Sequence, residues 1–191
     1  MEQVFEQLGE YLLMYQHLPQ QDLQKIFAIS KVLHLSKNEI LQPIGKSCRN
    51  IYFINKGLAR IYYYKDGLDI TEGFAFEKNL AVRFESLFTG QPSRKGIQVL
   101  EDTEVIAISA SELEKLYDVH PLIERLFRKL FEACHVETIN RIETIQFHTA
   151  EERYKHLLQE APDVIKRVQL KYIASYLGIT QVSLSRIRSS K

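Results

Sequence analysis

Between Leu170 and Ser189 the chain reads LKYIASYLGITQVSLSRIRS, a pattern that few backbones accommodate. Ile173, Leu177, Ile179, Leu184 and Ile187 recur at helical spacing on both sides of Gly178, so two helices share one apolar face and break sharply between. Helices that cross steeply need a small residue where their backbones approach, and a residue tolerant of positive φ in the turn. Ala174 and Gly178 meet those two needs. Thr180 is placed to cap the second helix. The spacing therefore predicts a helix-turn-helix with Gln181, Ser183, Ser185, Arg186 and Arg188 outward or flanking the contact surface.

The outer face is basic, which the formal net charge of +1 conceals. Residues 1–148 hold 17 Lys+Arg against 20 Asp+Glu, whereas residues 149–191 hold 8 against 4, and from Lys166 onward there are six cations and no acid. A helical hairpin closing a domain would want the same small residues at its turn, but it has no need of an acid-free outer face. Double-stranded DNA does, because its phosphates attract cations and repel acids. In that mode the second helix enters the major groove by its N-terminal residues. Gln181 is then the first candidate for base edges, with Arg186 reaching guanine O6/N7 or a phosphate. Lys171, Ser183, Ser185 and Arg188 suit the backbone, and Thr180 begins the reading helix.

Upstream, residues 2 to about 30 carry helical periodicity interrupted at Leu18-Pro19. From Lys31 to Ser109 short runs rich in β-branched and aromatic residues follow: KVLHL, EILQPI, NIYFIN, LARIYYYK, DITEGFAF, GIQVL and TEVIAIS. Asp66-Gly67 is a type I′ hairpin signal, since both residues tolerate positive φ. Many short antiparallel strands with such turns indicate a β-roll or sandwich. Ser109-Ala-Ser-Glu112 has capping-box spacing for a short helix ending near Asp118, and Pro121 suits the first turn of the next. That next helix runs uninterrupted to about Phe147. Its apolar residues cover more than one face, so a face near Leu126, Leu130 and Ala133 is expected to pair with a second copy. Thr149-Ala-Glu-Glu152 is a second capping box and marks a hinge. The expected fold class is α+β, divided as a β-roll over residues 1–118, a long dimerisation helix over 119–148 and a helix-turn-helix domain over 149–191. With the chain ending shortly after Arg188, contacts to DNA are expected from the last helix and its immediate flanks.

Several other chemistries lack their residues. Cys48 and Cys134 stand alone, without CxxC or ligand-spaced His, so neither a zinc module nor a disulfide framework is expected, and no metal site. Cys48 lies beside Lys46 and Arg49, which would favour a thiolate, although an inert thiol is the default. No stretch approaches the roughly 18 apolar residues of a membrane span, and the N-terminus lacks a secretory pattern, so a cytoplasmic protein is expected. A cupin-like metal-dependent enzyme would need several His or Glu ligands converging in the roll, where His34 is the single histidine, and GxSxG, phosphate-loop and HExxH motifs are absent. The chain is not expected to be an enzyme.

The whole arrangement resembles the cyclic-AMP receptor/fumarate-nitrate regulator (CRP/FNR) superfamily of bacterial transcription regulators. The resemblance rests on IYFINKGLARIYY, on EDTEVIAIS ahead of a short helix and VHP, on the long helix, and on AEERY, IASYLGIT and LSRIR at Ala150–Tyr154, Ile173–Thr180 and Leu184–Arg188. It implies a cyclic-nucleotide-binding-like β-roll that senses a small molecule and a homodimer formed along the long helix. It also implies a winged-helix-like DNA-binding end, a palindromic site, and RNA polymerase as a further partner. Cyclic-nucleotide binders of that superfamily hold the ribose with Gly-Glu and the phosphate with Arg-Ser or Arg-Thr. Here Arg83-Phe84 and Arg94-Lys95 fall at those positions, with Glu85 one residue away, so only the arginine survives. No cofactor is therefore expected, cyclic AMP is not expected to bind in the usual way, and Arg83, Arg94 and Lys95 are candidates for a different anion. An iron-sulfur cluster would need four cysteines. A haem would need an axial histidine, and His34 lies on an alternating strand.

Overall fold

The computed structural model describes residues 2–189. In chain order the elements are α1 (Glu2–Leu13), α2 (Gln20–Ala28), β1 (Ser30–Leu35), β2 (Ile40–Gln42), β3 (Asn50–Lys56), β4 (Ala59–Lys65), β5 (Leu68–Ala75), β6 (Leu80–Ala81) and α3 (Phe84–Thr89). There follow β7 (Gly96–Val99), β8 (Thr103–Ser109), α4 (Ala110–Tyr117), α5 (Pro121–Phe147), α6 (Ala150–Glu160), α7 (Val164–Arg167), α8 (Leu170–Leu177) and α9 (Gln181–Ser189). The strands form two four-stranded antiparallel sheets, ordered β1-β8-β3-β6 and β2-β7-β4-β5.

The apolar runs NIYFIN and VIAIS are nearly continuous because β3 and β8 are buried on both faces. Tyr52, Ile54, Val105 and Ala107 point into the roll, where they meet Ile97, Val99 and Ala59 of the other sheet. Ile51, Phe53, Ile106 and Ile108 point the other way, onto Leu8, Leu12, Ile26, Leu113, Ile123, Leu126, Phe127 and Leu130 of the helices. The N-terminal helices and the first turns of α5 are therefore part of the β-roll's core.

Local signals act largely as the sequence indicates. Asp66 and Gly67 sit at φ 51° and 76° and close the β4–β5 hairpin. Thr149 caps α6, its hydroxyl accepting from Glu152 N at 3.3 Å while Glu152 Oε2 accepts from Thr149 N at 2.7 Å. The expected box at Ser109 does not form: Ser109 caps α4 without a side-chain hydrogen bond, and its hydroxyl lies 3.3 Å from that of Ser111. The pairing face proposed around Leu126 and Leu130 is also corrected. Both are fully buried against the β-roll, whereas Val136, Ile139, Ile142, Ile145 and Phe147 of the same helix are exposed.

Gly57, between β3 and β4, has φ +100°, and a Cβ there would lie 2.5 Å from Thr103 Oγ1 and 2.9 Å from the Asp102 carbonyl oxygen. Its N–H donates to Glu77 at 3.1 Å, so three loops converge on this one residue. Gly57→Ala is expected to lower stability by about 3 kcal/mol through backbone strain and the clash together, read from urea unfolding midpoints.

Candidate nucleic-acid interface and sensor site

The turn between α8 and α9 is built from backbone bonds that only a left-handed residue allows. Gly178, at φ 69°, donates to Ser175 O at 3.0 Å, and Ile179 N donates to Ala174 O at 3.0 Å, the Schellman pattern. Thr180 then starts α9, its hydroxyl accepting from Ser183 N at 3.1 Å and lying 2.9 Å from the Ser183 hydroxyl. Ile173, Ala174, Leu177 and Leu184 are buried between the helices. Gln181, Val182, Ser185, Arg186 and Arg188 are exposed along α9, and Lys171 is exposed at the start of α8. Thr180 is exposed, whereas Ser183 is half-buried, and each is hydrogen-bonded to the other at the helix start.

This unit does not stand apart from the β-roll. Leu58, Leu100, Phe74 and Phe76 of the strands and their loops share one apolar cluster with Tyr154, Val164, Val168, Tyr172 and Tyr176. Helix α8 covers edge strand β5, where the Ser175 hydroxyl accepts from Thr71 N at 2.8 Å. Beneath it the buried Arg60 guanidinium binds Asp69 through both oxygens, at 2.6 and 2.7 Å. Arg60 also donates to Gln98 and Thr71, and it stacks 3.8 Å from the Tyr172 ring. Arg153 donates to Leu177 O at 3.0 Å and to His148 O at 2.6 Å, neutralising the C-terminal ends of α8 and α5 together.

Arg167 of α7 closes the far side. It binds Glu77 at 2.6 and 3.0 Å and Glu101 at 2.6 and 3.3 Å. Burial pushes the Glu77 carboxyl up, but the hydrogen bonds from Arg167 and from backbone N–H groups outweigh it and hold the group below the ordinary carboxylate value of 4.5. The contribution of a depressed acid is complete above its unfolded value and is lost as pH falls through the folded one. Arg167→Leu is expected to cost roughly 1 kcal/mol, reduced by solvent screening at these part-exposed groups, and to remove the part of the acid sensitivity of unfolding that falls below pH 4.5. Unfolding curves across pH 3–7, on the order of that titration range, read both effects.

Next to Thr71 on β5 the candidate sensor residues divide. Arg83, at the start of α3, donates to Glu72 at 3.3 Å, and Lys95 pairs with the other Glu72 oxygen. Arg83 Nε is buried without a hydrogen-bond partner among the described residues. Arg94 is exposed, apart from this pair. Glu72 is the residue that sequence reasoning missed: nothing local in DITEGF says which of its acids turns inward, and a register shift at Ile61/Tyr62 opposite it interrupts simple alternation. Helix α3 is not among the elements that the sequence patterns indicate. Ser86 ties it down, accepting from Cys48 N at 2.8 Å and donating to Gln91 O at 2.5 Å. Cys48 is buried with its thiol 3.3 Å from Asn50 O, and His34 is exposed beside Glu104. Among the described residues no group of three His, Cys, Asp or Glu is arranged to hold a metal, and no helix is long and apolar enough to cross a membrane.

Residues 32–120 match the family model described as the cyclic nucleotide-binding domain. Among solved structures, FixK2 from Bradyrhizobium japonicum aligns at a TM-score of 0.70 and 22% identity, over 85% of this chain and 84% of that one. The c-di-GMP-responsive global regulator CLP from Xanthomonas campestris aligns at 0.67 and 14%, covering 90% and 91%. A chain from Eubacterium rectale assigned to the CRP/FNR transcriptional regulators aligns at 0.68 and 19%, covering 89% and 82%. The fold is that of the CRP/FNR regulators. No curated protein matches the chain. In this CRP/FNR fold the described residues after Ser109 carry no strand, so the helix-turn-helix is presented without a wing among them.

Proposed function

We propose that this chain is a DNA-binding transcription regulator of the CRP/FNR type, acting as a homodimer on a two-fold symmetric site. One observation carries the reading: a steeply turned helix pair, rigidly capped, whose exposed face on α9 bears Gln181, Ser185, Arg186 and Arg188 and no acid. Such a face is repelled by nothing on a duplex and attracted by every phosphate. Gln181 and Arg186 are assigned to base edges, and Lys171, Ser185 and Arg188 to the backbone, with Thr180 and Ser183 holding the helix start.

Pairing is assigned to the distal half of α5. Val136, Ile139 and Ile142 are exposed within one arc of about a third of the helix circumference that a second copy of the helix would cover. Two reading helices would then lie about one turn of DNA apart. Ile142→Asp is expected to give a monomer in sedimentation velocity, with affinity for the full site reduced on the order of 100-fold and affinity for a half-site kept.

The sensor reading follows from Glu72. Its carboxylate already sits between Arg83 and Lys95, and Phe84 offers no acceptor for a ribose hydroxyl, so cyclic AMP is not assigned to this cluster and no cofactor is invoked. An effector here would be an anion that competes with Glu72. Because β5 carries Glu72 and also docks α8 through Thr71, a change at the Glu72 cluster would bias how the reading helices are held. RNA polymerase is the further partner expected of a regulator of this type, and a cytoplasmic site of action goes with it. No enzymatic activity is assigned.

Selection of bound sequences from random duplex DNA tests the reading directly. A palindromic preference supports it, and binding without sequence preference at physiological salt overturns it. On the selected site Arg186→Ala is expected to cost about 1–3 kcal/mol, relaxing preference at one position in each half. Repeating the selection with cyclic AMP and with inorganic phosphate should leave the first unchanged.

A further inference from the structure

On a helix of about 3.6 residues per turn, the positions of α9 divide into two arcs. Leu184 and Ile187 point inward, and Ser183 is joined to the cap. Gln181, Val182, Ser185, Arg186 and Ser189 form the outer arc, with Arg188 at its edge beside Gln181, all of them exposed. Val182 lies near the middle of that arc, almost opposite the inward pair, and is 62% exposed. A β-branched apolar residue is a poor helix former and gains nothing from packing there, so neither propensity nor the core accounts for it. Every neighbour on the arc is polar or cationic and can bond to a base edge or a phosphate. Val182 cannot. In the major groove the one apolar feature presented by base pairs is the thymine C5-methyl group.

We infer that Val182 reads a thymine methyl in each half-site, next to the base contacted by Gln181 or Arg186, and is a specificity-determining residue for the DNA reading proposed above, on which this inference rests. The side chain sits in the first turn of α9, the part of a reading helix that goes deepest into the groove. It carries no charge to attract other bases. A thymine there would cover its exposed methyls and remove the methyl of the base from water, whereas cytosine would place an amino donor against hydrocarbon.

The test uses the full-length protein on its selected duplex, with each thymine in turn replaced by deoxyuridine, which removes only the methyl. Wild-type protein is expected to lose about fourfold in affinity at one thymine of each half-site, the value of one buried methyl. Val182→Ala is expected to bind the thymine site about fourfold more weakly than wild type and to be indifferent to deoxyuridine at that same position. The substitution is on the surface and alanine favours helix, so unchanged thermal unfolding separates contact from folding. If wild type and Val182→Ala show the same deoxyuridine profile at every position, the inference is overturned while the DNA reading stands. A protein that selects no sequence overturns both.

Discussion

Strands β3 and β8 have no solvent face, and the rest of the molecule is arranged around that constraint. A strand buried on both sides needs a layer on each, and the two layers here differ in kind. Inside lies the second sheet, closing the roll around Ile54, Val105 and Ala107. Outside lie α1, α2, α4 and the first turns of α5, closing over Phe53, Ile106 and Ile108. Fully burying a large apolar side chain is worth about 1.5–3 kcal/mol, so the start of α5 is anchored by Ile123, Leu126, Phe127 and Leu130 far more firmly than its propensity alone would achieve. The same helix then carries an exposed apolar strip. One rigid element thus joins the core of the β-roll to a surface suited to a second copy.

The second constraint is the docking of the C-terminal helices on the roll. Its apolar part, around Leu58, Leu100, Val168 and Tyr172, supplies most of the stabilisation, since charged contacts at a part-exposed surface are worth little. The charges define orientation instead. Arg60 is buried, and a buried guanidinium is tolerable only with its partners in place, here Asp69, Gln98 and Thr71 with the Tyr172 ring over it. Arg153 and Arg167 clamp either side, one at helix C-terminal ends and one on two carboxylates. The position of α8, and through it α9, is consequently set by β5, which beside Thr71 holds Glu72 against Arg83 and Lys95. One strand links the candidate sensor residues to the candidate reading helix.

What was legible in the chain follows from how far apart the interacting residues are. The helix-turn-helix was readable because Ala174, Gly178, Thr180 and the inward Ile and Leu residues interact within about 15 positions, and each meets a local geometric demand. The Asp66-Gly67 turn and the Thr149 cap were readable for the same reason. Ser109 shows the limit: it has the spacing of a capping box, but its hydroxyl found Ser111 instead of the backbone. Helix α3 is six residues long and is held by Ser86 bonding to Cys48 and Gln91 across loops, which leaves little periodic signal.

The sequence by itself therefore determined most of the strands and the longer helices, the two-helix turn at Gly178 and the acid-free outer face of α9, because those depend on periodicity, turn chemistry and local capping. Tertiary structure alone decided three things: which stretch of α5 is buried and which is left exposed, which acid meets Arg83 and Lys95, and that the helix-turn-helix is docked on β5. Each is a choice among chemically equivalent candidates. A row of leucines and isoleucines at helical spacing does not name its partner, and a carboxylate selects its cation only after two sheets have folded over one another.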